Sequence, residues 1–315
     1  MIPDFAEMYG IEATPELVRE LRAAQPEGIH LHRRNIENRE QVRDLIASLR
    51  REVGPLEFAV RHEGGAETPF VRGVTPFPGL EALEEAANPA LARDVGRAMG
   101  HELASMGITM NLVSETGPMS IELAVGMRCV GIKVGVGPVI PGATREPDEI
   151  EAAALAASVA EAAIHVDRDP GRLMPMAAGR RVGLLVPRLG DIADRIPVED
   201  GLRMTAARLR PNVGASVAVM EVALQPDDPG IVLAADWLAA QETSVFLCFD
   251  AHRFEGQRRL LEAVGSRCAR LVVATIGNSK DEELIADHAA VVRTCGFQEC
   301  QLRAALRTIF ESKQK

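Results

Sequence analysis

The stretch "FAVRHEGGAETPF", residues 58–70, decides how the chain reads. Phe58, Ala59 and Val60 form an apolar, strand-like run that ends in Arg61, His62 and Glu63, followed by two glycines. Barrel strands deliver polar groups in this way, at their carboxyl ends. Working outward, helical and strand patterns alternate. "TPELVRELRAA" (14–24) opens on the N-cap residue Thr14, carries Pro15 in its first turn and repeats Leu17, Val18 and Leu21 at helical spacing. "GIHLH" (28–32) is a short strand. "NREQVRDLIASLRREVG" (38–54) repeats the helical period through Val42, Leu45, Ile46 and Leu49 and closes at Gly54. A long helix follows over 88–106, then the strand "ITMNLV" (108–113) and, after a short helix, "CVGIKVGVG" (129–137). Units of roughly 30–40 residues alternating strand and helix are the rhythm of a parallel sheet or barrel.

Beyond the Ala-rich helix "REPDEIEAAALAASVAEAAI" (145–164), the segment "HVDRDPGRLMPMAAGRR" gathers Pro, Gly and charge. The expected division is a barrel-like domain over 1–165, a linker over 166–180 and a second domain over 181–315. Expected strands of the latter are "RVGLLVP", "ASVAVMEVAL", "GIVLAAD", "SVFLCFD", "RLVVATIG" and "AAVVRTC". Continuous apolar runs of this kind suit strands covered on both faces, so the second domain reads as an open α/β/α sandwich.

Composition narrows the function classes. The 315 residues are 47 % hydrophobic but only 3 % aromatic, a mix that favours helix-on-sheet packing. A formal charge of −10 argues against nucleic acid or an anionic membrane as partner. No uncharged apolar run of membrane-spanning length is present, and the acidic start "MIPDFAEMYG" does not resemble a secretory signal. Five cysteines without a CxxC spacing fit a reducing cytoplasm.

Several stretches resemble glycoside hydrolase family 3, in its bacterial β-N-acetylglucosaminidase branch. "PEGIHLHRRNIENREQVRDLIASLR" is similar to that family's second strand and helix, and "FAVRHEGG" to its third strand. "RGVTPFPG" and "NPALARDVGRAMGHELASMGITMNL" follow in the family's order. "AASVAEAAIHVDRDPGRLMPM" resembles the segment joining the family's barrel to its sandwich; "EGQRRLLEAVG" and "AAVVRTCGFQECQLRAALRTIF" resemble the sandwich. The resemblance implies a TIM-type barrel followed by an α/β sandwich, and a hydrolase. The departures fall on the chemistry. The Lys-His-Phe-Pro-Gly-His-Gly segment and the nucleophilic aspartate of the family have no match. Arg61 stands where the family carries an aspartate, Ala66 where it carries an arginine, and Gly117 where an aspartate closes the fourth strand. An eight-unit barrel takes about 250 residues, whereas the stretch before the linker has room for about five βα units. A partial barrel with units missing from its middle is expected. Its open edges predict cover by the sandwich domain or by a second copy of the chain, hence a homodimer.

Strand side chains alternate faces, so candidate site residues follow from parity. Ala59 and Arg61 share one face of the third strand, Asn111, Val113 and Glu115 one face of the fourth, and Lys133 stands between glycines on the last. If all three faces point inward, Arg61, Glu115 and Lys133 meet in the lumen, with Glu63 at the rim. Two chemistries fit: a structural ion-pair network, or a remodelled site for a carbohydrate-derived or anionic small molecule. In the second, Arg61, His62, Asn111 and Lys133 bind, and Glu63 and Glu115 serve as acid and base. No cofactor is expected. A metal is admitted at His30 and His32, completed by His62 or a glutamate. Asp236 and Asp250 each end an expected sandwich strand, and "VGVGP" lacks the third glycine of a dinucleotide fingerprint. The functional expectations are a family-3-like protein without the family's nucleophile and acid/base, a non-catalytic binding or scaffold protein, or a metal-dependent enzyme.

Overall fold

The structure, a computed structural model, describes residues 5–135, 137–139, 145–176, 181–196, 198, 206, 209, 217–277 and 279–311. The chain divides into two compact units, Met1–Ala156 and Ala157–Lys315.

The first unit is built on a parallel sheet of β1 (Phe5–Glu7), β2 (Gly28–His30), β3 (Glu57–Val60) and β4 (Met110–Asn111), in that spatial order. A single further parallel bridge joins Met110 to Lys133. Among the described residues this is a partial barrel with five strand positions. Helices α1 (Pro15–Ala24), α2 (Arg39–Val53), α3 (Leu80–Ala86), α4 (Pro89–Met106) and α5 (Pro118–Arg128) connect the strands. Their starts are written locally. Thr14 Oγ1 accepts from Leu17 N (3.2 Å), Asn38 Oδ1 from Gln41 N (3.0 Å) and Asn88 Oδ1 from Leu91 N (3.1 Å). "CVGIKVGVG" is not a full strand: α5 runs to Arg128, Lys133 alone bridges, and Val136 lies outside the described residues. Three glycines in nine residues leave few side chains to pack on a ladder.

α4 and α5 meet backbone to backbone. A Cβ at Gly96 would lie 2.1 Å from Leu123 O, and one at Gly126 would lie 2.1 Å from Arg93 O. Neither carbonyl can yield without moving a helix. Gly96→Ala is therefore expected to cost about 1–3 kcal/mol by overpacking, read as a lower urea midpoint at unchanged slope; an unchanged midpoint would mean the helices sit farther apart than this.

Helix α6 (Glu149–Ala163) leads into β5, and the second unit holds a six-stranded sheet in the order β5-β10-β9-β8-β6-β7. β6 (Val182–Pro187), β7 (Val217–Val222), β8 (Thr243–Cys248), β9 (Leu271–Thr275) and β10 (Ala290–Arg293) are parallel, and β5 (His165–Arg168) pairs antiparallel at the edge. β6, β8 and β9 are buried along their whole length. Alternate residues feed two cores: Leu184, Val245, Val272 and Val292 on one face with Leu302 and Leu306; Leu185, Phe246, Val273 and Val291 on the other with Leu238 and Leu260. The sandwich is thus covered on both faces by helices, as its apolar runs imply.

Two expectations about elements change. The start of the 166–180 segment belongs to β5, and residues 177–180 lie outside the described residues. "GIVLAAD", read as a strand, lies inside helix α7 (Asp228–Ala239). Asp227 caps it by accepting from Gly230 N at 2.9 Å, and Ile231, Ala234, Ala235 and Leu238 are its buried positions. Spacing of three and four between buried residues is helical, and a short apolar run hides it. Asp236 therefore sits on a helix rather than at a strand end. Two further helices, α8 (Glu255–Arg267) and α9 (Glu299–Phe310), complete the layers.

Candidate functional site

In the first sheet the register runs Glu7↔His30↔Ala59↔Met110, continued by the bridge to Lys133. Residues paired across a parallel sheet point to the same side. The side opposite the helices therefore carries Glu7, His30, Ala59, Met110 and Lys133, with Glu57 and Arg61 two places before and after Ala59. The other side carries Phe58 and Val60, and Val60 is paired with Asn111. Asn111 thus faces the helices, with its Nδ2 3.3 Å from Met127 Sδ on α5. The expected meeting of Arg61, Glu115 and Lys133 in one lumen does not occur.

Three separate ion pairs stand in its place. Lys133 Nζ donates to Glu57 Oε1 at 2.8 Å, both side chains half exposed, near the amino end of β3. Burial tends to raise the Glu57 pKa, but hydrogen bonds from Lys133 and Thr109 and the charges of Lys133 and Arg50 bring it below the usual value. Glu115 Oε1 accepts from Arg128 at 2.6 Å, and the same guanidinium nitrogen donates to Val134 O at 3.1 Å. The glycines around Lys133 leave room for this pair and not for the lysine. A Cβ at Gly135 would lie 2.1 Å from Glu115 Oε2, and one at Gly137 would lie 2.6 Å from the Arg128 guanidinium. Arg61 reaches Glu63 Oε1 at 3.3 Å.

Glu63 is largely buried and anchored. Its side chain is 8 % exposed against 54 % for Arg61. Its Oε1 also accepts from Ser114 N at 3.0 Å, which ties the turn after β3 to the segment after β4. The turn depends on Gly64 and Gly65, at φ 75° and 55°, and a Cβ at Gly64 would meet Pro78 O at 2.5 Å. His62 and Asn111, expected to bind substrate, are both buried. Asn111 Oδ1 accepts from His62 N at 2.9 Å and its Nδ2 donates to His62 O at 2.8 Å, continuing the ladder from β3 to β4 by side chain. The His62 ring packs edge-on to Phe70, 5.4 Å between centroids, with neither nitrogen hydrogen-bonded. Burial pushes its pKa down to about 3, so the imidazole is neutral.

His30 and His32 do lie together, with ring centroids 4.0 Å apart. His32 Nε2 is 3.4 Å from Glu7 Oε1, and Arg34 donates to Glu7 Oε2 at 2.7 Å. Burial, then the His32 charge, lowers the His30 pKa. His62 lies past the end of β3 with its ring against Phe70. Among the described residues, the three-ligand grouping is Asp250, His252 and Asp281, in the second unit. Sequence parity missed Glu7 and Arg34 because β1 is three residues long and half exposed. It missed Arg128 because that residue sits on α5, where no strand parity applies.

The first unit's likeness is explicit. Residues 6–114 match the glycosyl hydrolase family 3 N terminal domain. A β-hexosaminidase of Haemophilus influenzae is 30 % identical over 126 residues, 40 % of this chain and 36 % of its own length. One of Neisseria meningitidis serogroup B is 33 % identical over 117 residues, 35 % of this chain and 32 % of its own. The matches thus span about a third of these curated relatives. A family 3 β-N-acetylglucosaminidase from Paenibacillus sp. str. FPU-7 shares the fold at a TM-score of 0.81 and 15 % identity, over 96 % of this chain and 94 % of that one. A fungal multi-domain family 3 β-N-acetylglucosaminidase does so at 0.75 and 13 %, over 96 % and 58 %. Residues 6–114 thus resemble the glycosyl hydrolase family 3 N terminal domain, and the chain as a whole shares its fold with these two structures.

Proposed function

We propose that this chain is a family 3 protein that keeps a small-molecule site at the carboxyl ends of its barrel strands while lacking the family's own nucleophile and acid/base. The observation that supports this most is the Arg61–Glu63 pair. A half-exposed guanidinium leans on a carboxylate that is buried and held from behind by Ser114 N. Such a group is fixed in place and still has donors to give, which suits an anionic or hydroxyl-rich ligand. The same side of the sheet offers the His30 and His32 rings. The ligand class is a carbohydrate-derived or anionic small molecule.

Hydrolysis through Glu63 and Glu115 is the less favoured reading. Glu115 carries Arg128 as its partner, and Glu63 Oε1 is engaged by both Arg61 and Ser114 N. A glycosidase needs one carboxyl group free to protonate and another free to attack or activate water. The expected result is no hydrolysis of chromogenic N-acetylglucosaminide or glucoside above buffer, with N-acetylglucosamine or its 6-phosphate bound by wild type and lost in Arg61→Ala. Turnover that falls in Glu115→Gln would overturn this reading in favour of a working hydrolase.

A further inference from the structure

The second unit carries a side-chain cluster that the barrel site does not use. Its parallel strands run β7, β6, β8, β9, β10 across the sheet, so β8 and β9 are neighbours. In open α/β sheets ligands bind outside the carboxyl ends of the strands. Asp250 lies two residues past the carboxyl end of β8. His252 follows it, and Asp281 arrives from the segment after β9.

The geometry is that of a donor set. One ligand atom from each of Asp250, His252 and Asp281 lies within 4.8 Å of the others. Asp281 is fully buried, and His252 Nδ1 stands 2.9 Å from its Oδ1. Backbone N–H groups of Ala251 (2.8 Å) and His252 (3.0 Å) fix both Asp281 oxygens. Asp250 is 13 % exposed, and the sequence leaves room for its carboxylate: a Cβ at Gly277 would lie 2.2 Å from Asp250 Oδ1. The Arg253 guanidinium is 3.9 Å from Asp250 and itself 68 % exposed, a weak counter-charge. Two largely buried carboxylates beside one imidazole present oxygen and nitrogen donors that a divalent cation can share. Two oxygens and one imidazole nitrogen, with no thiolate among them, suit a first-row divalent ion such as Zn²⁺ or Mn²⁺.

We propose that Asp250, His252 and Asp281 form a divalent-cation site past the carboxyl ends of β8 and β9, with three protein ligands and an open position for solvent or ligand. This site is independent of the Arg61–Glu63 rim and stands whether or not that rim binds anything. The test uses the full chain, tag removed and chelator-stripped, titrated with Zn²⁺ and with Mn²⁺ by calorimetry, with metal content read by elemental analysis after dialysis. Variants are His252→Ala and Asp250→Asn, the latter because Asn tolerates the left-handed backbone (φ 44°) of that position. One equivalent in wild type is expected, weakened in each variant by at least the ~10–100-fold that outer-shell changes already cause. The bound ion should raise the melting temperature of wild type and leave that of His252→Ala unchanged. No equivalent bound by wild type, or equal binding by both variants, overturns the site; the second result would move the metal to His30 and His32 or to the cysteines.

Discussion

His62→Leu is expected to flatten the acid limb of the stability curve. His62 is fully buried, neither ring nitrogen has a partner, and its pKa in the fold is about 3 against an ordinary 6.5. The unfolded chain takes up this proton as pH falls through 6.5, while the folded chain refuses it until about 3. More protons on the unfolded state mean that stability rises with pH across that window. The His62 contribution is thus intact above pH 6.5 and is lost progressively between 6.5 and 3. The full shift corresponds to about 4–5 kcal/mol. Leucine at 62 carries no proton and no unsatisfied nitrogen, so the variant should match or exceed wild type at pH 7.5. Urea unfolding from pH 7.5 to 4, taken as variant minus wild type so that the carboxylates cancel, reads this directly. A difference that stays constant with pH would show that His62 is solvated or hydrogen-bonded after all.

Arg128→Leu should be the other large effect. Arg128 is 11 % exposed, with one nitrogen shared between Glu115 Oε1 and Val134 O. Removing it leaves Glu115 pressed against Gly135 without a counter-charge and Val134 O without that donor. Breaking a buried pair by deleting one partner costs about 3–5 kcal/mol. Glu115 is 26 % exposed, so the expected loss is lower, about 2–4 kcal/mol. The double variant Glu115→Gln/Arg128→Leu should recover part of it, because the orphaned charge is gone. If the two single changes simply add, Glu115 is not held by Arg128, and a catalytic role for it regains ground.

Both predictions rest on residues whose identity was plain in the sequence and whose surroundings were not. His62 was readable as the polar end of a strand. Its burial was not, because that depends on what packs past the end of β3. Asn111 was grouped with Glu115 on the rule that residues two and four apart share a face of an extended strand, but β4 ends at Asn111. The other error lay between strands. Val60, and not Ala59, pairs with Asn111, and that single step of register turns Asn111 away from Arg61 and Lys133. "GIVLAAD" shows the same limit within one segment, because seven apolar-rich residues carry strand and helix patterns equally until the Asp227 cap and the spacing of Ile231, Ala234 and Leu238 are counted.

The sequence by itself determined the alternation of strand and helix, the caps that start the helices, the two-sided burial of the sandwich strands and the likeness of "FAVRHEGG" to a family 3 strand. These are local properties, written in periods of two and 3.6 residues and in short-range hydrogen bonds. Tertiary structure alone decided which charges meet: Arg61 with Glu63, Glu115 with Arg128, Lys133 with Glu57, and His252 with Asp281. Strand register, the depth of a side chain and the approach of two backbones at a glycine are relations between segments far apart in the chain. No window of sequence contains both partners in their final phase, so only packing could settle them.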